Sequence, residues 1–195
     1  MNVNVRVRAP AAPKWNLVEK SQEVSAPSLI RIGEKGSAKL VIGGNTQVIC
    51  SANTAMQIRQ YMDDSRQVVT QLQLEQGNIK VAAHARADLS PQPLGGQPKQ
   101  QLEIVYGGHQ LVLAQGDVEL NLEHEPRTAR VIASVYRGAV AVRHGAGDEV
   151  TLRPGREAVM LRAGIAIRAA ADKPQDWWPT RNAETAATVD DGFSR

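Results

Sequence analysis

Hydrophobic residues recur at every second position over much of this 195-residue chain. Val140 and Val142, for example, flank Ala141. This two-residue period is that of a β-strand, in which successive side chains point to opposite faces. The pattern is clearest from Val131 to Met160, where glycines divide the run into short pieces. Proline lacks the N–H of a sheet ladder and glycine accepts positive φ, so Pro154-Gly155 predicts a turn between strands.

Helical periodicity is not sustained in any segment of the sequence, so the chain is predicted to be all-β. The pattern leaves the layering open between a β-sandwich or jelly roll and a β-solenoid-like stack of short strands. The composition divides the chain into residues 1–28, an N-terminal strand or arm with a linker; residues 29–168, the β-domain, with a long Pro/Gly loop at 84–101; and residues 169–195, a tryptophan-containing tail, disordered beyond about Thr180.

Three short stretches of the chain resemble one another around a glycine. In each, an apolar residue and two linking residues precede the glycine, and two apolar residues one apart follow it. The stretches are Leu74–Val81, Leu113–Leu120 and Val135–Val142. A glycine at this place lets a strand bend sharply, so each stretch predicts a passage of the chain from one layer to the next.

Several of these turn motifs follow the order of a known family. That family opens with a glycine-rich strand–turn–strand and continues with elements of the form L-x-x-G-x-x-x-V, then V-x-V-x-x-G-x-V-x-V, then L-x-P-G-E. The matching stretches are Gly33–Leu40, Gly44–Val48 and Ala52–Thr54, then Leu74–Val81, Ser134–Val142 and Leu152–Gly155, with Arg156 before Glu157. Over about Leu29 to Leu161 the chain thus resembles the FecR domain, a periplasmic β-domain of iron-transport regulators and other bacterial envelope proteins.

The resemblance implies a β-fold and an extracytoplasmic binding or scaffolding role, without catalysis. The sequence departs from the family at its central Gly-Thr strand, where it reads Ala114–Val118. It also contains no membrane helix and no helical anti-sigma segment, the parts through which such regulators pass a signal across the membrane. These departures favour a binding role over direct sigma-factor regulation.

The amino-acid composition limits which residues can form the core and where the protein is located. One Phe, three Tyr and three Trp leave the core to be built from Val, Leu, Ile and Ala. The single cysteine, Cys50, lies in a strand-like run and is expected to be a small buried hydrophobe. No apolar run is long enough to span a bilayer, and the first residues lack the apolar region of a signal peptide. We therefore expect a periplasmic or cell-surface protein whose export signal has been removed, with the cytoplasm as the alternative.

Candidate catalytic and metal-binding residues are sparse. The histidines, His84, His109, His124 and His144, have no spacing typical of metal ligands. Asp63-Asp64 lacks the spacing of a calcium loop, and no serine lies in a nucleophile elbow. The sequence therefore predicts a protein that is not an enzyme and has neither a metal nor a cofactor. Glycan hydrolysis is the least expected activity, since no convincing carboxylate pair is present.

Three features are candidates for partner binding. The first is an arginine series that includes Arg130, Arg137 and Arg143, part of which would share one face of a sheet. The second is the pair Trp177 and Trp178, because tryptophan is costly to leave exposed and is favoured in interfaces. The third is the N-terminal strand with Val3, Val5 and Val7, which would pair with a neighbour's sheet edge.

The leading hypothesis is a non-enzymatic extracytoplasmic β-module that binds protein partners, either another copy of itself or a larger envelope complex. The first alternative is a FecR-type domain that senses a ligand or receptor for a sigma-factor regulator. The second is polyanion binding through the arginine series, compatible with a formal net charge of +3. Nucleic acid is a less expected partner, because few aromatic residues are available to stack on bases.

Overall fold

The computed structural model describes residues 4–19, 21–84, 100–113, 116–145, 147, 149–174 and 186–189. The regular secondary structure of these residues consists entirely of β-strands, which confirms the predicted fold class. The strands are β1 (Val5–Arg8), β2 (Asn16–Leu17), β3 (Gln22–Val24), β4 (Ser28–Ile32), β5 (Ala38–Ile42), β6 (Thr46–Cys50), β7 (Ala55–Met62), β8 (Val68–Gln76), β9 (Ile79–Ala83), β10 (Gln100–Tyr106), β11 (His109–Leu113), β12 (Val118–Glu125), β13 (Arg130–Arg137), β14 (Val140–His144), β15 (Glu149–Leu152), β16 (Arg156–Leu161), β17 (Gly164–Ala169) and β18 (Ala186–Val189). In this part of the chain no helix is long and apolar enough to cross a membrane.

The strands form two sheets of nine strands each. Sheet A has the order β15-β14-β11-β10-β8-β7-β4-β1-β2, and sheet B has the order β17-β16-β13-β12-β9-β6-β5-β18-β3. The two sheets share one continuous cluster of buried side chains, as in a β-sandwich. The largest fully buried side chains come from both sheets and include Ile58 and Leu72 of sheet A and Leu40 and Leu120 of sheet B.

The chain passes repeatedly between the sheets while it advances along both of them. Antiparallel hairpins alternate, since β5–β6 and β12–β13 lie in sheet B while β7–β8 and β14–β15 lie in sheet A. Strand β9 enters sheet B alone, and β10 then returns to sheet A and pairs in parallel with β8. The fold is therefore a two-sheet sandwich in which, from β4 to β17, successive strands add to the same end of each sheet.

Burial follows the alternation seen in the sequence. In β4, Ile30 and Ile32 are buried while Arg31 between them is exposed. In β5, Ala38, Leu40 and Ile42 are buried, and the residues between them are partly exposed. Because the side chains of a strand alternate between its faces, a two-residue pattern places one set in the core and the other in solvent.

The similar glycine stretches mark crossings between the sheets, as predicted. Gly77 joins β8 of sheet A to β9 of sheet B, and Gly138 joins β13 of sheet B to β14 of sheet A. Both glycines have positive φ, 101° and 75°. A Cβ atom on Gly77 would overlap Thr54, and one on Gly138 would overlap the carbonyl oxygen of Asp117. These crossings therefore require glycine for two reasons, backbone conformation and space.

The N-terminal segment, for which the sequence left a strand or an extended arm open, is a strand of the sandwich. β1 pairs on one side with β2 and on the other with β4. Val5 and Val7 are buried in the common core. The sequence pattern predicted the strand but could not identify its neighbours, because pairing between strands is decided by tertiary contacts.

The C-terminal segment also differs from the predicted disordered tail. Ala186–Val189 form β18, which lies in sheet B between β5 and β3 and runs parallel to both. Among the described strands, β3 joins sheet B only through its pairing with β18. The other residues beyond 174, and residues 85–99 of the predicted Pro/Gly loop, lie outside the described residues.

Candidate functional site

Arg130, Arg137 and Arg143 do not share one face of a sheet. Arg130 and Arg137 lie at opposite ends of β13 in sheet B, about 23 Å apart by strand geometry. Arg143 lies on β14 in sheet A. Arg137 forms an ion pair with Asp117 at 2.8 Å, and Arg143 forms one with Glu149. The three arginines therefore belong to different surfaces, and two of them already have acidic neighbours.

Of the other predicted binding residues, the structure describes Val5 and Val7. Val5 and Val7 are core residues of β1, whose two edges are both paired within the chain. Val3, Trp177 and Trp178 lie outside the described residues. The prediction that β1 pairs with a neighbouring molecule is therefore wrong for the described part of this strand.

An unpaired end of the sandwich is the most distinctive surface. Sheet A ends at β15 and sheet B ends at β17, and within the described residues no strand pairs with the outer edge of either. After β17 the chain turns back, since the amide of Ala170 donates to Gly155 O and Lys173 forms an ion pair with Glu119 of β12. Residues 170–174 therefore leave the outer edge of β17 uncovered.

The apolar layer between the sheets is also incompletely covered at this end. Ile165 and Ile167 pair with Met160 and Ala158, which are buried, so both isoleucines face the inside of the sandwich. Ile167 is nevertheless 39% exposed. Inward-facing apolar side chains on an unpaired edge strand are the surface to which another strand adds most readily. We call this surface, made by β15 and β17, the open end.

The outer face of sheet B carries a cluster of polar side chains. Ser134 Oγ donates a hydrogen bond to Glu157 Oε2 at 3.2 Å, and Arg168 forms an ion pair with the other oxygen of the same carboxylate. Tyr136 lies in the same cluster, where burial and the nearby carboxylates of Glu123 and Glu157 raise the pKa of its hydroxyl. The cluster ties β13, β16 and β17 together, so it fixes the strands next to the open end.

The outer face of sheet A has a second cluster around one carboxylate. The hydroxyl of Tyr61 donates to Glu103 Oε2 at 2.7 Å, and the amides of Gln71 and Gln101 each donate to Glu103 at 3.3 Å. Glu103 is only 5% exposed. Burial, together with the hydrogen bond to Glu103, raises the pKa of Tyr61 to about 12. Tyr61 therefore stays protonated and donates throughout the physiological pH range, which suits a structural bond between β7 and β10.

Two histidines that are far apart in sequence meet in sheet A. His109 of β11 and His144 of β14 are direct cross-strand partners, and their Nδ1 atoms are 3.2 Å apart. His109 Nε2 lies 2.9 Å from the carbonyl oxygen of Leu161, so this nitrogen carries the proton and donates. The Nδ1 atom of neutral His109 then accepts from His144. Only the pairing of β11 with β14 reveals this contact, because the sequence separates the two residues.

We expect this pair to make the protein less stable in mild acid. Burial, and to a lesser degree the neighbouring His144, lowers the pKa of His109 below its ordinary value near 6.5. The unfolded chain therefore binds a proton at a higher pH than the folded chain, and stability falls as pH decreases below about 6.5 toward the native pKa. Urea unfolding of the parent protein and of His109→Leu between pH 7.5 and 5 measures how the free energy of unfolding depends on pH.

In His109→Leu the free energy of unfolding should change less with pH than in the parent protein, whatever the stability of the variant at pH 7.5. Equal slopes for the two proteins would show that His109 does not titrate differently on folding.

Among the described residues we looked for a reactive thiol and for a cluster of metal-binding side chains. Cys50 is fully buried in β6, and burial raises the pKa of its thiol, which keeps it protonated as a core side chain. Within the described ranges no group of three or more His, Cys, Asp or Glu side chains is placed to hold a metal ion.

Comparison with known proteins identifies a related fold. No family model matches the chain, and no curated protein matches it. Two crystal structures of a candidate anti-sigma factor from Parabacteroides distasonis ATCC 8503, at 2.50 and 1.65 Å resolution, are similar to it with a TM-score of 0.54 and sequence identities of 14% and 13%. The match covers 72% of this chain and 59% of the solved chain, so it spans less than two thirds of that protein. At this identity the similarity establishes a shared fold.

Proposed function

We propose that this chain is a non-enzymatic, extracytoplasmic β-module of the FecR type that binds a protein partner through the open end of its sandwich. The observation that carries the proposal is the unpaired edge of β17, with Ile165 and Ile167 facing the apolar layer between the sheets. A partner strand at this edge would form main-chain hydrogen bonds with β17. It would also cover Ile167, so affinity would come from both the ladder and apolar burial.

The charge around the open end indicates the kind of partner. Arg153 lies exposed in the turn between β15 and β16, Arg156 is the exposed first residue of β16, and Arg162 lies exposed in the turn between β16 and β17. These side chains flank both ends of the edge strand. An approaching strand with alternating apolar residues and acidic residues near its ends would complement this pattern.

The second candidate function is the sensing domain of a sigma-factor regulator. It is favoured by the shared fold with the candidate anti-sigma factor, of which this chain matches a part. In this case the strand at the open end would come from a receptor in the envelope. In the structural alternative, it would come from another copy of this chain or from a scaffold protein.

Site-specific photo-crosslinking distinguishes these partners in the cell. A photoreactive residue at position 167, in the bacterium that encodes the protein, should form a discrete adduct whose second component mass spectrometry identifies. Ala166 provides the matched control, because it is exposed on the same strand but points to the outer face. Its adduct should be weaker by about tenfold, since a strand added at the edge covers mainly the inner face.

The identity of the adduct then decides between the two functions. A receptor supports the sensing role, and a second copy or a scaffold protein supports the structural role. Equal labelling at positions 166 and 167, or none at 167, would contradict partner binding at the open end. The purified protein with the photoreactive residue at position 167 should keep its β-sheet circular dichroism spectrum, so absence of an adduct would not reflect unfolding.

A further inference from the structure

Three arginines lie together on the outer face of sheet A, at the end opposite to β15. Arg6 of β1 and Arg31 of β4 are direct cross-strand partners, and Arg8 lies two residues along β1 on the same face. Like charges directly opposite each other on a sheet repel and lower stability. An anion bound between these arginines would reduce this repulsion.

A tryptophan holds two of these arginines in position. The guanidinium carbon of Arg8 lies 4.9 Å from the ring centroid of Trp15, and that of Arg31 lies 5.0 Å from it. Trp15 is only partly exposed and immediately precedes β2, which pairs with β1. Stacking on an indole restricts a guanidinium group and leaves its N–H edge available to an acceptor. The arginines are thus preorganised.

Within the described residues, part of the hydrogen-bonding capacity of the cluster is unused. The Nε atom of Arg8 is buried and has no hydrogen-bond partner. None of the ion pairs within the described residues involves Arg6, Arg8 or Arg31. A buried donor without an acceptor costs free energy, so this atom indicates that an acceptor from outside the chain belongs at the site.

We propose that Arg6, Arg8, Arg31 and Trp15 form a binding site for a phosphate group. The planar guanidinium fork matches the oxygens of a phosphate, and Arg8 donates from Nε to one of them. A dianionic group neutralises more of the repulsion between Arg6 and Arg31 than a single carboxylate does. The site is separate from the open end, so it does not depend on the proposed protein partner.

Nitrogen-15 NMR of the arginine Nε–H groups tests the proposal at the atom that carries it. Titration with pyrophosphate at low ionic strength should shift the Arg8 Nε–H signal in a saturable manner. Arg8→Lys and Arg31→Lys should each weaken pyrophosphate binding, followed by backbone amide signals of β1, by about tenfold, because lysine lacks the fork. Arg143→Lys is the matched control, an exposed arginine on the outer face of the same sheet, and should leave affinity unchanged.

A second measurement distinguishes a free phosphate from a lipid headgroup. Co-sedimentation with phosphatidylglycerol vesicles, compared with phosphatidylcholine vesicles, reports the lipid source. Binding in either assay that is lost in Arg8→Lys and Arg31→Lys supports the site, and the assay in which it occurs names the source. No saturable binding in both assays, or equal binding by these variants and by Arg143→Lys, would overturn the proposal.

Discussion

Replacing Gly138 with alanine should lower the free energy of unfolding by about 3 kcal/mol. The glycine has a φ of 75°, at which a Cβ atom costs about 1–2 kcal/mol. The added methyl group would also overlap the carbonyl oxygen of Asp117, which belongs to the backbone and has little freedom to move. Urea denaturation followed by circular dichroism measures the difference between the variant and the parent protein.

Gly155 provides the control for this substitution. Its φ is 77°, nearly that of Gly138, but a Cβ atom there would have no other atom within 4 Å. Gly155→Ala should therefore cost about 1 kcal/mol, the conformational part alone. Equal losses in the two variants would mean that the crossing from sheet B to sheet A relaxes around the new methyl group and that close packing does not require glycine at position 138.

Replacing Val5 with aspartate should lower the free energy of unfolding by about 4 kcal/mol or more, enough to unfold a marginally stable domain. Val5 is 1% exposed and lies in the common core, where a carboxylate loses its hydration without gaining a partner. If β1 were a free arm, the same substitution would have almost no effect. Thermal unfolding or urea denaturation of the purified variant measures the difference.

The neighbouring residue gives the matched control. Arg6 is exposed on the opposite face of the same strand, so Arg6→Asp should change stability by less than about 0.5 kcal/mol. The same substitution also removes the repulsion between Arg6 and Arg31. If Val5→Asp and Arg6→Asp were equally mild, β1 would not be an integral strand of sheet A.

The two ends of the sandwich expose different groups, and each end carries one of the two proposed binding sites. At one end, β17 presents an unpaired backbone and a partly exposed Ile167. At the other end, β1 and β4 present the arginines around Trp15. A partner strand would add at the unpaired edge of β17, and a phosphate group would bind to the arginines around Trp15. Because the two proposed sites lie at opposite ends, a partner strand and a phosphate group would not compete for the same surface.

The sequence predicted those features that depend on neighbouring residues. The alternation in Ser28–Ile32 and Ala38–Ile42 gave strands with the correct buried faces, because side-chain direction in a strand has a fixed period. The glycine stretches predicted crossings between layers, and Gly77 and Gly138 lie at such crossings. The buried state of Cys50 also followed from its strand-like surroundings.

Long-range pairing could not be predicted in the same way. Part of the arginine series was predicted to share one face of a sheet, but Arg130, Arg137 and Arg143 lie on two sheets. The cluster of Arg6, Arg8 and Arg31 was missed, because Arg31 is far from the other two in sequence and becomes their neighbour only when β1 pairs with β4. His109 and His144 meet for the same reason, through the pairing of β11 with β14.

By itself, then, the sequence determined that the chain is built from short strands, which face of most strands is buried and where the chain turns between layers. These properties follow from the two-residue period and from the backbone freedom of glycine, both of which act locally. Only the tertiary structure decided that β1 and β18 belong to the sandwich, which strand edges stay unpaired and which charges lie side by side. Strand pairing joins residues across long separations, and the alternating pattern is equally compatible with many partners.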